Sequence, residues 1–219
     1  MERHERPVGI FGGTFDPIHY GHLRIALETL ESLSLAELRL LPARQPPLRD
    51  TPGARPEQRL AMLRLAIADQ PGFVLDPREL DREGPSYMAD TLASLRAERP
   101  DTPLCLLVGA DAFARLHRWE RWRALFDLAH IVVLSRPGDA DPLSAPLETE
   151  IASRRLDAVT ELRGSPAGGI WFQAVTALDI SATRIRRLLQ AGRSPRYLLP
   201  DAVCDYIQRH RLYQDNSDR

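Results

Sequence analysis

The chain has no lysine: all 29 of its basic residues are arginine. That absence excludes a Walker A phosphate loop, which closes on Gly-Lys-Ser/Thr. It also leaves arginine and histidine as the only cationic side chains able to hold a phosphate. Arginine does so bidentately, adding orientation to charge. Genomic base composition is the simpler source of the bias. Cysteine is scarce too. Cys105 and Cys204 lie in apolar contexts and form no Cys-x-x-Cys pair, so they read as buried free thiols in a reducing compartment. No apolar run is long enough to span a bilayer, and the polar start Met1–Arg6 lacks signal-peptide character. No membrane partner and a cytoplasmic location are therefore expected. Net charge is -1, which gives no general attraction to nucleic acid or anionic lipid. Internal repeats, low-complexity runs and a Gly-x-Gly-x-x-Gly dinucleotide fingerprint are also missing.

What is present is an alternation of short apolar runs and helical patterns. Its 219 residues fit a single domain, 1–219, with about 180–213 forming a small C-terminal helical part. Strands are expected at Val8–Phe11, Leu38–Leu41, Phe73–Leu75, Leu104–Val108, Ile131–Leu134 and Ile170–Gln173. The runs at 104–108 and 131–134 are apolar throughout, as in strands buried on both faces of a parallel sheet. Helical stripes follow: Leu23, Leu27 and Leu30; Leu60, Leu63 and Ile67; Leu92 and Leu95, with Ser86 as a plausible N-cap. Trp119, Trp122 and Phe126 mark another, Trp122 reading as core. Ile185, Leu188 and Leu189 are closed by Gly192, and a last helix runs from Pro200 to about Arg209. The fold class expected is α/β, doubly wound around a mainly parallel, Rossmann-like sheet. Ligands bind beyond the carboxyl ends of such strands. The loops Arg44–Pro56 and Arg136–Pro146 both follow strands and should overhang that face. Gly164–Gly169 is a further loop with no evident chemistry.

Two stretches carry chemistry. The first is Gly12-Gly13-Thr14-Phe15-Asp16-Pro17-Ile18-His19-Tyr20-Gly21-His22, between the first strand and the first helix. A glycine turn that opens a helix presents backbone N–H groups and a helix N-terminus, which favour an anion. His19 and His22, three residues apart, share a helix face. A lone histidine there would read as capping or solvated; a pair behind two glycines points to phosphate. The second is Asp179-Ile180-Ser181-Ala182-Thr183-Arg184-Ile185-Arg186-Arg187. Ser181 is placed as N-cap, with Thr183 and Arg186 in or near the first turn, a second cradle for phosphate. Read alone, a capped helix with a basic solvated face accounts for it better.

Together the two stretches resemble the paired signatures of the nucleotidyltransferase superfamily with the His-x-Gly-His motif. Leu41–Arg49, Arg59–Leu63, Pro85–Leu92, Val108–Asp111, and Trp119 ahead of Ser135–Gly138 extend the resemblance to the bacterial nicotinate-nucleotide adenylyltransferase family, from about Val8 to Tyr213. The resemblance implies an enzyme that joins nicotinate mononucleotide to the adenylyl group of ATP, giving nicotinate adenine dinucleotide and pyrophosphate. It implies that His19, His22 and Arg186 are catalytic. ATP would be bound by Gly12, Gly13, Thr14, Phe15, Asp111, Ile180, Ser181 and Thr183. The mononucleotide would meet Asp16, Arg49, Tyr87, Met88, Thr91, Trp119 and Arg136, with Trp119 stacked on the ring. The chain departs from the family pattern at Leu48, where histidine is common, and at Met88, where threonine is common. At the latter a side-chain hydroxyl contact is lost, while a backbone contact survives.

The implied chemistry suits these residues. A phosphate monoester nucleophile has a second pKa of about 6 and is largely ionised at neutral pH, so no general base is required. Positioning and charge neutralisation suffice. No carboxylate cluster marks a protein-held metal, so Mg²⁺ is expected to arrive with ATP, bound mainly by phosphates and water. Each histidine can act as a neutral N–H donor or as a cation held charged by phosphate. The same chemistry on nicotinamide mononucleotide and a non-catalytic nucleotide-binding regulator remain open. A monomer or small homo-oligomer with no nucleic-acid partner is expected.

Overall fold

The computed structural model describes residues 5–46, 51–135, 143–176 and 178–214. Six strands form one sheet: β1 (Val8–Gly13), β2 (Glu37–Pro42), β3 (Phe73–Leu75), β4 (Leu104–Gly109), β5 (His130–Ser135) and β6 (Ile170–Ala174). All neighbours pair in parallel, in the order β3-β2-β1-β4-β5-β6. This is the order of doubly wound dinucleotide-binding sheets. Along β4 the side chains alternate between two cores. Cys105 and Leu107 join one cluster, whereas Leu104, Leu106 and Val108 join the other. Because both faces are covered, the strand is apolar at every position from 104 to 108.

The helices divide between the same two faces. Helices α1 (Tyr20–Ser32), α2 (Pro56–Ile67), α7 (Ala182–Gln190) and α8 (Asp201–Arg209) bury Ala26, Met62, Ile185 and Val203 in the first cluster. Helices α3 (Met88–Glu98), α4 (Ala110–Phe113), α5 (Ala124–Leu128) and α6 (Ala145–Arg154) bury Leu92, Phe113, Leu125 and Leu147 in the second. The chain leaves β1 toward β2 on one side and returns from β3 to β4 on the other. The connections after β1 and β4 therefore diverge, and a crevice opens between their carboxyl ends. Among the described residues, no helix is long and apolar enough to cross a membrane.

Four local expectations need correction. Ser86 does not cap α3: its hydroxyl accepts a hydrogen bond from Arg44 N at 3.0 Å, and Tyr87 is the N-cap. Trp119, Trp122 and Phe126 do not share one helix. A short 3₁₀ turn, Leu116–Arg118, ends at Trp119, and Arg121 takes a left-handed φ of 51° before α5 begins. Pro200 is the N-cap of α8 rather than a first-turn residue. Helix α6 begins within the expected 136–146 loop and runs past it, packing on Leu147 with few other apolar residues to mark it. Gly192, at φ 65°, does follow α7 as the turn-forming residue.

Candidate active site

The turn after β1 is built to bring bare backbone close to its neighbours. A Cβ at Gly12 would meet the Met88 Cε at 2.6 Å, and one at Gly13 would meet the Phe15 ring at 2.9 Å. Phe15 folds its buried ring back through a left-handed φ of 48°. Helix α1 then starts on His19, which supplies the N-cap conformation with φ -150° and whose carbonyl accepts from the His22 and Leu23 N–H groups. The two imidazoles stack, with centroids 3.7 Å apart and planes 27° from parallel. Phe15 meets the His22 ring edge-on at 5.2 Å. His19 is only 5% exposed, and its Nδ1 has no hydrogen-bond partner among the described residues. Burial lowers its pKa to about 4, so at neutral pH the free protein carries it as the uncharged imidazole.

The second stretch arrives at the same place from the far end of the chain. Ser181 caps α7, its hydroxyl accepting from Arg184 N at 3.2 Å. The Ile180 carbonyl lies 3.1 Å from where a Gly21 Cβ would stand, so glycine lets the starts of α1 and α7 approach. Arg186 donates through Nη1 to the Asp16 carbonyl at 2.7 Å and through Nη2 to the Thr183 hydroxyl at 3.4 Å. Ser181 and Thr183 are exposed and Arg186 partly so. Two motifs 170 residues apart thus meet beyond the carboxyl end of β1.

Asp16 sits beneath this junction, 4% exposed. Its carboxylate accepts from Gly53 N at 2.8 Å, Ala54 N at 3.1 Å and the Tyr213 hydroxyl at 2.6 Å. Its oxygens are largely occupied by the protein itself. On the far side of the crevice, Tyr87 and Met88 open α3, and Met88 lies against Gly12. Thr91 is fully buried: its hydroxyl donates to Glu79 at 2.8 Å and accepts from Arg82 at 3.0 Å. Burial raises the pKa of Glu79. Asp111 lies in the first turn of α4, directly after β4, exposed and paired with Arg115 at 3.1 Å. Trp119 is half-buried against the second core cluster, as is Trp122, which meets Phe126 edge-on. Arg49 and Arg136 lie outside the described residues. Among the described residues, no group of three or more His, Cys, Asp or Glu could hold a metal ion.

Two residues that shape the site were given no role by the sequence. Arg59 is 0% exposed and donates to three carbonyls: Thr14 at 2.7 Å, Arg44 at 3.1 Å and Ala54 at 3.3 Å. Burial lowers its pKa, yet a guanidinium stays charged. The signal was available, because Arg59 shares its helix face with Met62 and Leu63, at i+3 and i+4. Tyr213 has no such signal, since its partner Asp16 is 197 residues away.

A cytidylyltransferase-like family model matches residues 10–188. A probable nicotinate-nucleotide adenylyltransferase of Methylococcus capsulatus is 56% identical over 207 residues, covering 94% of this chain and 99% of the relative. One from Halorhodospira halophila is 56% identical over 203 residues, 93% of each chain. Among solved structures, Plasmodium falciparum nicotinic acid mononucleotide adenylyltransferase complexed with NaAD superposes with a TM-score of 0.72. That match covers 95% of this chain and 98% of that one, at 15% identity, and is a likeness of fold.

Proposed function

The chain belongs to the nicotinate-nucleotide adenylyltransferase family, and on that premise we propose how its residues transfer the adenylyl group of ATP to nicotinate mononucleotide, giving nicotinate adenine dinucleotide and pyrophosphate. The observation that carries the assignment is the meeting of the His19–His22 pair with the α7 start, joined by Arg186 on the Asp16 carbonyl.

A phosphate oxygen of the mononucleotide attacks the α-phosphorus of ATP, the bond from that phosphorus to the bridging oxygen breaks, and pyrophosphate leaves with the electron pair. The attacking group is already ionised at neutral pH, so the protein's task is placement and charge stabilisation. The backbone of Gly12, Gly13, Thr14 and Phe15 borders the phosphates from the β1 side. Ile180, Ser181 and Thr183 border them from the α7 side. His19 and His22 donate N–H groups to phosphate oxygens. Arg186 supplies the permanent charge that meets the departing pyrophosphate. Asp111 takes the ribose of ATP. Mg²⁺ arriving with ATP would be held mainly by phosphate oxygens and water rather than by side chains, and would add neutralising charge.

The acceptor lies across the crevice. Trp119 stacks on its ring, and Tyr87, Met88 and Thr91 shape the pocket, Thr91 by anchoring α3 to Glu79. Arg49 and Arg136, which lie outside the described residues, belong by the family resemblance to the loops around the mononucleotide. Asp16 reaches that side through Gly53 and Ala54, in the loop that follows Arg49. Replacing His22→Ala is expected to lower kcat by about a hundredfold, on the order of 3 kcal/mol, with the KM for ATP little changed. Steady-state pyrophosphate release checks this. An unchanged kcat with a raised KM for ATP would reduce His22 to a binding group.

A further inference from the structure

We propose that Tyr213 is a positioning residue for this reaction: through Asp16 it fixes where Arg186 stands. The inference rests on the assignment of Arg186 to the ATP phosphates. One buried carboxylate joins three separate pieces of chain. Its Oδ1 receives the Tyr213 hydroxyl at 2.6 Å and Ala54 N at 3.1 Å. Its Oδ2 receives Gly53 N at 2.8 Å and lies 3.6 Å from Arg186 Nη1, which donates instead to the Asp16 main chain. The guanidinium therefore stands beside the carboxylate and hydrogen-bonds its residue's carbonyl.

The local architecture serves this contact. Tyr213 follows α8 in a turn with a left-handed φ of 61°. Its ring lies on the Gly53 backbone, where a Cβ would approach it to 3.2 Å. A side chain at 53 would crowd the ring that carries the hydroxyl to Asp16. Burial raises the pKa of the Tyr213 hydroxyl, so it remains a donor. Take that donor away and Oδ1 keeps only the longer Ala54 bond. A buried carboxylate short of a donor draws on the nearest one available, which here is Arg186. Turned onto the Asp16 side chain, the guanidinium is withdrawn from phosphate. The tail after α8, the loop at 53–54 and the start of α7 are thereby set by one carboxylate, which links the mononucleotide side of the crevice to the ATP side.

Tyr213→Phe removes the hydroxyl and keeps the ring, so packing is preserved. The test is a double-mutant cycle with Arg186→Gln, reading kcat for pyrophosphate release from ATP and nicotinate mononucleotide. Tyr213→Phe is expected to lower kcat about tenfold in the parent and less than twofold in the Arg186→Gln background. Equal losses in both backgrounds, or no loss in the parent, overturn the proposal. The same cycle is read on ATP affinity by calorimetry, where the Tyr213→Phe loss should again require Arg186. A parent protein that releases no pyrophosphate would sink the functional assignment, while the calorimetric cycle still decides the role of Tyr213.

Discussion

His19 is the residue at which burial and charge conflict most plainly. A helix-start histidine in a phosphate site invites a cationic reading, yet burial holds this ring's pKa at about 4, below its ordinary 6.5. The sequence showed the pair of imidazoles and their shared face; it could not show that one of them is buried to 5% exposure. The consequence reaches stability. Between pH 6.5 and 4 the unfolded chain binds a proton at His19 that the folded chain refuses, so stability from this group is complete above pH 6.5 and falls as pH drops toward 4. The loss across that window is on the order of 3 kcal/mol. Urea unfolding at pH 7 and pH 4.5 should show a smaller drop for His19→Gln than for the parent. His130, whose pKa burial also lowers, acts in the same direction in both proteins and cancels from the comparison. An equal drop in the two proteins would contradict the neutral buried ring.

Elements were legible where their apolar pattern was complete. Strands β4 and β5 are covered on both faces, so each announces itself as a short unbroken apolar run. Helix α6 is covered on one face only and buries little beyond Leu147, which leaves almost no periodic signal. The Trp119–Phe126 spacing looked helical because periodicity ignores backbone sign, and the left-handed Arg121 divides it. Arg59 belongs at this scale because it fastens elements together. From α2 it holds the carbonyls of Thr14 in the β1 turn, Arg44 in the loop after β2 and Ala54 two residues before the helix. Arg59→Met would leave three carbonyls to find other donors, each unsatisfied buried group costing about 1–3 kcal/mol. A loss of about 3 kcal/mol or more in urea unfolding is expected, partly restored by Arg59→Lys. A loss below about 1 kcal/mol would mean that those carbonyls are satisfied without it.

At the scale of the whole molecule, the strand order turns two distant motifs into one site. Alternating strands and helices in the sequence imply a parallel sheet, but not that β1 lies between β2 and β4. That placement puts the glycine–histidine turn beside the crevice between β1 and β4. The α7 start reaches it through Arg186 and Gly21. The motifs of the two site flanks could be recognised in the sequence because their residue types are unusual in combination. Asp16 could be named but not its engagement with Gly53, Ala54 and Tyr213, because those partners carry no mark of their own. Arg186 supplies a cationic side chain at the junction, and Arg59 one beneath the turn. The adenylyltransferase assignment is tested most directly by pyrophosphate release from ATP and Mg²⁺ in the presence of each pyridine mononucleotide separately. It predicts rapid release with nicotinate mononucleotide and slower release with the amide. No release with either, or faster release with the amide, would contradict it.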